Sequence, residues 1–206
     1  MVARDIELAR YTGGRVHFCH VSTARAVELI RRAKHDGIQV SAEVTPHHLA
    51  LSESAVEGYN VYAKMNPPLR SDEDRAALLE GLRDGTIDVV ASDHSPHEED
   101  AKAVEFEKAA FGLLGLQTSL PIMLEFAAQG QLPRRRLMEA LSAGPAKLLG
   151  LKLGCLAKGR PADVCRIAPD HQWIFTREVI RSKSQNTPFL GRALKGCAHT
   201  VLVDGR

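Results

Sequence analysis

The 206-residue sequence lacks several features that would place it in a specialised class of protein. No apolar run approaches the roughly 20 residues that cross a bilayer. The first residues, MVARDIELAR, are charged and amphipathic and do not form the apolar centre of a signal peptide. There is no internal repeat and no low-complexity segment. With 44% hydrophobic residues, the chain is predicted to be soluble and globular, with a sizeable core and no membrane contact.

Cysteine is scarce and unpaired in the sequence. The four cysteines are Cys19, Cys155, Cys165 and Cys197. They lie far apart and form no CxxC pair, which fits neither a zinc ribbon nor a disulfide framework. This pattern favours a cytoplasmic protein.

The sequence also has no large excess of positive or negative charge. Lysine and arginine number 27 against 25 acidic residues, which gives a formal net charge of +2. The one basic cluster, Arg134, Arg135 and Arg136, precedes apolar residues at helical spacing and is better explained as a solvated helix face. Nucleic acid is therefore not an expected partner.

Strand and helix patterns alternate along the first half of the chain. RVHFCH, IQVSAEVT and TIDVVASD are the predicted strands, and the third is nearly continuous in apolar residues, as in a strand buried on both faces. One predicted helix starts at Ser22 or Thr23 and ends at Gly37. Another is capped by Ser71 and ends at Gly85. This alternation predicts an α/β fold with parallel strands.

Polar residues follow each predicted strand: His20, then residues 45–48, then residues 93–97. Active sites of TIM barrels are built at this end of the strands. About three βα units are visible, whereas a closed barrel has about eight. The sequence therefore predicts either an open sheet or a part of a TIM barrel.

The pattern changes along the second half of the chain. It is helical after residue 117, and from Leu151 onward Gly-punctuated, β-rich pieces surround a polar middle. We therefore expect a partial barrel in residues 1–150 and a small β appendage in residues 151–206.

Asp93 is the sharpest candidate for chemistry, because it ends a buried strand. Its carboxylate could bind a metal with one oxygen and accept a proton from water with the other. A cap of the turn at Ser95 and Pro96 explains an aspartate here equally well. Spacing alone leaves both interpretations open.

Single histidines are weaker candidates. His20 ends a strand, a good position for a zinc ligand, although a structural role is commoner there. Strand alternation predicts His17 and Cys19 on one face and His20 on the other, so that at most one set lines a common site. His47 and His48 are adjacent, and adjacent histidines do not easily bind one metal, so a structural role is favoured.

Two residues are candidates for substrate contacts. His97 follows Asp93 by four residues and can return toward it across the intervening turn. Asn66 precedes two prolines in KMNPPLR, which hold the backbone extended. Its amide could bind a carbonyl or an imide, and a plain turn is an equally good interpretation.

Five segments together resemble the dihydroorotases of the amidohydrolase superfamily, in the long-chain class with a DHAPH-like motif. In chain order they are VHFCHVST, VSAEVTPHHLALS, YAKMNPPLRSDEDR, GTIDVVASDHSPH and EKAAFGLLGLQTSLP. The resemblance implies a metal-dependent TIM (β/α)8 barrel with a small β domain. It also implies zinc-dependent, reversible hydrolysis of the cyclic amide of (S)-dihydroorotate, a small-molecule substrate, to N-carbamoyl-L-aspartate in pyrimidine synthesis.

The resemblance assigns metal-binding roles by position. His20 corresponds to a histidine ligand of the second zinc. Asp93 corresponds to a ligand of the first zinc and to the catalytic acid and base.

The resemblance also assigns substrate contacts. Asn66 and His97 correspond to residues that contact the substrate, His97 at the substrate carboxylate. Phe111 and Gly112 correspond to a pair whose backbone touches the pyrimidine ring.

Several residues that the resemblance implies cannot be placed in this sequence. They are an HxH pair, a bridging acidic or carboxylated-lysine ligand, a further histidine, and an arginine and an asparagine that bind the substrate. We therefore expect the chain to be the C-terminal half of such an enzyme, and its start within a helical pattern agrees. With only His20 and Asp93 as zinc ligands, the isolated chain is expected to be inactive.

Two alternatives remain. One is another cyclic amidohydrolase, such as a dihydropyrimidinase or an allantoinase, although MNPPLR with SDHSPH favours a dihydroorotase. The other is a non-catalytic dihydroorotase-like subunit that associates with aspartate transcarbamoylase. Such subunits tend to lose metal ligands, whereas His20 and Asp93 are present. A homodimer is the other assembly that the resemblance allows.

Overall fold

The fold was analysed in a computed structural model that describes all 206 residues. The helices are α1 (Val2–Thr12), α2 (Ala24–His35), α3 (Pro46–Ala50), α4 (Asp72–Asp84), α5 (Leu116–Ala128), α6 (Arg134–Met138) and α7 (Gly144–Leu148). The strands are β1 (Val16–Phe18), β2 (Val40–Val44), β3 (Val89–Val90), β4 (Val164–Ile174) and β5 (Ala193–Leu202). Short 3₁₀ turns cover Glu53–Tyr59, Val61–Ala63 and Arg177–Val179, and a π-helical turn covers Glu139–Ala143. None of the helices is long and apolar enough to cross a membrane.

Strands β1, β2 and β3 form a parallel sheet in that order. Helix α2 connects β1 to β2, and α4 lies in the connection from β2 to β3. Parallel neighbours need such crossover connections, because a tight turn can join only antiparallel strands. The prediction of an α/β fold with parallel strands is confirmed. The strands are shorter than predicted, because the chain turns at His20 and at Asp93, both of which have positive φ.

The helix boundaries follow from capping. The Thr23 side chain accepts a hydrogen bond from the backbone N–H of Ala26, so that Thr23, and not Ser22, caps α2. The Ser71 side chain accepts from the N–H of Asp74 at the start of α4. Gly85 ends α4 in the left-handed conformation, with φ 86°.

The main core contains 18 buried residues and lies between one face of the parallel sheet and the surrounding helices. Phe18, Ala42 and Val44 of the strands point into it, together with Ile30 of α2 and Leu82 of α4. Side chains alternate between the two faces of a strand. The intervening strand residues therefore point to the opposite, open face of the sheet.

A second core connects the C-terminal region to the α/β part. Strands β4 and β5 form an antiparallel pair, and β5 packs against α5. Met65 and Leu113 are buried together with Phe175, Phe189 and Leu194 in a cluster of eight residues. The division into residues 1–150 and 151–206 stays a prediction, and this cluster packs across it.

We predict that Leu82→Ala lowers the free energy of unfolding by about 2–5 kcal/mol, because Leu82 is fully buried and the change leaves a cavity. The matched control is Leu8→Ala on α1, where the side chain is 54% exposed and the cost should stay within about 0.5 kcal/mol. Urea denaturation measures both. Equal losses in the two variants would contradict the described core.

Candidate active site

His20 and Asp93 lie just beyond the carboxyl ends of β1 and β3. Both residues have left-handed backbone conformations, with φ 37° at His20 and φ 46° at Asp93. Residues other than glycine adopt this region uncommonly, and such outliers cluster at functional sites. The same edge of the sheet therefore carries both residues that the resemblance assigns to metal.

The turn at His20 lies beyond strand β1, which ends at Phe18. Glu43 of β2 contacts the side chain of His17 and the backbone of His20. Its Oε1 accepts a hydrogen bond from the His20 backbone N–H at 3.3 Å, and its Oε2 lies 3.1 Å from His17 Nε2. The ligand atoms of His17, Cys19 and Glu43 lie together, and the separation of this set from the His20 side chain stays a prediction.

Two buried imidazole nitrogens have no hydrogen-bond partner: Nδ1 of His20 and Nε2 of His47. The His47 side chain is 1% exposed, and its Nε2 lies 3.8 Å from Oδ2 of Asp93. A buried polar atom without a partner costs about 1–3 kcal/mol. The fold accepts this cost at the edge where Asp93 lies, which is the arrangement expected of atoms that await a ligand.

Burial sets the protonation of this group. Desolvation, then the neighbouring His48 and His20, hold the pKa of His47 well below its ordinary value, so that its imidazole is neutral. Burial also raises the pKa of Asp93, while attraction to His20 lowers it and the Glu43 carboxylate raises it. A carboxyl group with a raised pKa takes up a proton more readily, as a general acid and base must.

His48 has a structural role, as the sequence predicted. Its Nε2–H donates to the Pro67 carbonyl at 3.0 Å, and its Nδ1 lies 2.7 Å from the Thr45 hydroxyl, which must donate to it. These bonds fix the single tautomer of a buried ring. They also tie α3 to the segment that carries Asn66.

The predicted substrate contacts come together beside this segment. The backbone N–H of Gly112 donates to the Lys64 carbonyl at 2.9 Å, two residues before the exposed Asn66. Nε2–H of His97 donates to the Phe111 carbonyl at 2.7 Å. His97, Phe111 and Gly112 are therefore in contact, and the segment that carries Asn66 is joined to them at Lys64.

Gly112 is required by its backbone and by its neighbours. Its φ is 111°, a conformation that other residues rarely adopt. A Cβ at this position would lie 2.5 Å from the Cβ of Ser95. Any side chain here would displace the loop that carries His97.

Asn186 holds this loop in place, and sequence reasoning missed it. The residue is 3% exposed and comes from the C-terminal region. Its Oδ1 accepts from the backbone N–H of His97 at 3.0 Å, and its Nδ2 donates to the carbonyls of Ser95 and Gly112 at 2.9 and 3.2 Å. Nothing in the surrounding polar sequence signals this role, because its partners lie about 74–91 residues away.

Two buried lysines also went unnoticed in the sequence. Lys64 and Lys102 are 7% and 2% exposed, and neither ammonium group has a carboxylate partner. They donate instead to backbone carbonyls, Lys64 to Phe106, Glu107 and Ala109, and Lys102 to Val61 and Ala110. Burial lowers the pKa of Lys102 to about 8. These bonds fix the segment that leads into Phe111.

Comparison with known proteins identifies the family. Residues 2–206 match the family model described as "Amidohydrolase family". The chain belongs to this family. It is 49% identical over 205 residues to a dihydroorotase of Pelobacter propionicus and 51% identical over 209 residues to one of Anaeromyxobacter dehalogenans. Each alignment covers 100% of this chain and 48% of the relative, so that the chain spans about half the length of these relatives.

Solved structures support the fold. The L-hydantoinase (dihydropyrimidinase) from Arthrobacter aurescens matches with a TM-score of 0.92 and 34% identity over 100% of this chain and 47% of that protein. The dihydropyrimidinase from Brevibacillus agri matches with a TM-score of 0.92 and 26% identity over 99% of this chain and 46% of that protein. The prediction of a partial TIM barrel and the resemblance to dihydroorotases are confirmed.

We predict that Asn186→Asp lowers the free energy of unfolding by about 1–3 kcal/mol, because the new oxygen faces two carbonyl oxygens that Nδ2 now satisfies. Asp keeps the volume and the acceptor for His97. Urea denaturation measures the loss, and the exposed Lys183→Ala serves as control. A loss no larger than that of the control would contradict the role of Asn186.

The pKa of His48 predicts a pH dependence of stability. Burial lowers this pKa from 6.5 to about 4 in the folded chain, so that the unfolded chain binds the extra proton between these values. The free energy of unfolding should therefore fall by about 3 kcal/mol on this account as the pH drops from 6.5 to 4. His48→Gln keeps a donor for the Pro67 carbonyl and should flatten this slope.

The control for this pH dependence is His35→Gln, because the His35 side chain is 90% exposed. Denaturation curves collected across this pH range measure the slope. If the wild-type chain and His48→Gln gave parallel curves, His48 would not be the group that titrates.

Proposed function

We propose that this chain is part of a dihydroorotase, an enzyme that reversibly hydrolyses the cyclic amide of (S)-dihydroorotate to N-carbamoyl-L-aspartate. The observation that carries the proposal is the identity of 48–51% along the whole chain to proteins named dihydroorotase. The site geometry supports it, since a carboxylate and two unpartnered imidazole nitrogens meet at one sheet edge.

Relatives of this kind are generally metal-dependent. We propose zinc as the metal, with Asp93 as a ligand of the first ion and His20 as a ligand of the second. Imidazole and carboxylate suit zinc, and the buried, unpartnered Nδ1 of His20 fits a donor without its metal. Zinc takes about four ligands, so that the others would come from the part of the whole protein that this chain does not include. When bound, zinc supplies Lewis acidity toward the amide carbonyl.

Asp93 is the proposed acid and base. Its carboxylate accepts a proton from the attacking water and delivers it to the ring nitrogen as the C–N bond breaks. In the synthetic direction, protonated Asp93 helps to expel water. Nε2 of His47 lies 3.8 Å from Oδ2 of Asp93, beyond hydrogen-bond distance, and so places a neutral, buried imidazole beside this carboxylate.

Substrate binding is assigned to the second group of residues. The Asn66 amide meets a carbonyl or ring N–H, and the backbone of Phe111 and Gly112 lies along the ring. Nε2–H of His97 donates to the Phe111 carbonyl, so that Nδ1 is left for the substrate carboxylate, to which it donates when the imidazole is doubly protonated. The hydrogen bond from His97 to Phe111 thus connects the residue that binds the substrate carboxylate to the backbone that lies along the ring.

Hydrolysis of another cyclic amide is the second candidate, because the solved structures with the same fold are named hydantoinase or dihydropyrimidinase. The substrate carboxylate separates the two, since hydantoin and dihydrouracil lack one. Retention of His20 and Asp93 disfavours a non-catalytic subunit that associates with aspartate transcarbamoylase.

A chimera tests the proposal. In the Pelobacter propionicus dihydroorotase, the matching half would be replaced by these 206 residues. We expect turnover of dihydroorotate, and we expect Asp93→Asn to lower kcat by about 10²–10⁴-fold, because the proton transfer is lost. Asp100→Asn, on the exposed part of the same loop, is the control.

The chimera also separates the candidates. Preference for hydantoin or dihydrouracil over dihydroorotate would favour the second candidate. A folded, zinc-loaded chimera that turns over none of these substrates would contradict both.

A further inference from the structure

A second group of metal-binding side chains lies next to the proposed active site and has no part in the proposed reaction. His17, Cys19 and Glu43 each offer one ligand atom, and these atoms lie within 4.8 Å of one another. The group contains a sulfur donor, which the pair of His20 and Asp93 does not. It therefore suits a different range of cations.

The strand register explains why these side chains meet. His17 and Cys19 are two residues apart and share a face of the chain at β1. His17 lies opposite Ser41 of β2, and Glu43 follows Ser41 by two residues on the same face. This is the face opposite the main core, and a cavity of about 630 Å³ opens over His17, Ser41 and Glu43. An ion can reach the group from this side, where Cys19 is exposed.

Ser41 can hold His17 in the state that binds a metal. The Ser41 hydroxyl lies 2.8 Å from His17 Nδ1, while His17 Nε2–H donates to Glu43. A hydroxyl can donate or accept, so that rotation of Ser41 lets Nδ1 carry the proton and leaves the Nε2 lone pair for a cation. Metal-binding histidines typically donate their second N–H in this way.

We propose that His17, Cys19 and Glu43 form a binding site for a borderline-soft divalent cation of the zinc, cobalt and cadmium class. Ligands in a tetrahedral site lie about 3.3–3.8 Å apart, given bonds of about 2.0–2.3 Å. The three ligand atoms lie within 4.8 Å of one another, and Nε2 of His17 and Oε2 of Glu43 are 3.1 Å apart. Small side-chain rotations complete the site.

Binding there acts on a neighbouring residue. Oε1 of Glu43 also holds the His20 backbone N–H. Glu43 therefore connects a bound cation to the backbone of His20, the proposed zinc ligand. Cation binding can in this way change the position of His20.

Titration of the purified 206-residue chain with Co²⁺ and Cd²⁺ tests the proposal. Thiolate ligation produces a ligand-to-metal charge-transfer band in the ultraviolet that nitrogen and oxygen ligands do not produce. We expect this band to saturate at about one cation per chain. It should be lost in Cys19→Ser and retained when Cys155, Cys165 and Cys197 are all replaced by serine.

Further variants separate this site from the proposed active site. Ser41→Ala removes no ligand and should weaken binding by about tenfold or more, whereas Asp93→Asn should leave the band and the affinity unchanged. Circular dichroism checks that each variant is folded. Absence of the band, or a band that survives Cys19→Ser, would overturn the proposal. Neither outcome bears on the proposed hydrolysis, since that site contains no sulfur.

Discussion

Parallel pairing of β1, β2 and β3 directs the carboxyl ends of all three strands to one edge of the sheet. His20 and Asp93 follow the outer strands there, and α3, which carries His47, follows the middle one. Residues that are 27 to 73 positions apart in the sequence thus become neighbours. The pairing depends in turn on the apolar side of the same strands, because burial of Phe18, Ala42 and Val44 against the helices fixes which residues face each way.

Hydrogen bonding around this edge is selective. Both ring nitrogens of His48 and both polar side-chain atoms of Asn186 have hydrogen-bond partners, and the buried Lys64 donates to three carbonyls. Next to these residues, Nδ1 of His20 and Nε2 of His47 are buried without partners. A rigid, well-bonded surround makes that contrast possible, since a flexible one would move to satisfy the free nitrogens. The contrast distinguishes a site for a ligand from a polar loop.

Local patterns in the sequence were enough for the elements and for part of the site. Helix caps at Thr23 and Ser71 predicted α2 and α4 closely, because those signals act within a few residues, and apolar patterns placed the strands but overstated their lengths. Asp93 stood out because it ends a buried strand. The substrate contacts were assigned from linked motifs and stay a prediction, although His97 is hydrogen-bonded to Phe111 beside Gly112.

Other features depend on contacts that no local pattern encodes. Adjacency argued for a structural role at both His47 and His48, yet only His48 has its ring nitrogens bonded. Asn186 acts across the boundary between the C-terminal region and the α/β part. The backbone turn at His20, which has positive φ, ends β1 earlier than the sequence pattern predicted. In each case, tertiary packing decided the outcome.

The central claim is that the strand ends bring His20 and Asp93 to one two-zinc site. Crystals of the chimera with the Pelobacter propionicus half, soaked in zinc and measured at the zinc absorption edge, test it most directly. We expect two neighbouring anomalous peaks, one about 2.0–2.2 Å from an imidazole nitrogen of His20 and the other at the same distance from a carboxylate oxygen of Asp93. Zinc ordered only elsewhere, with these two side chains turned apart, would contradict it.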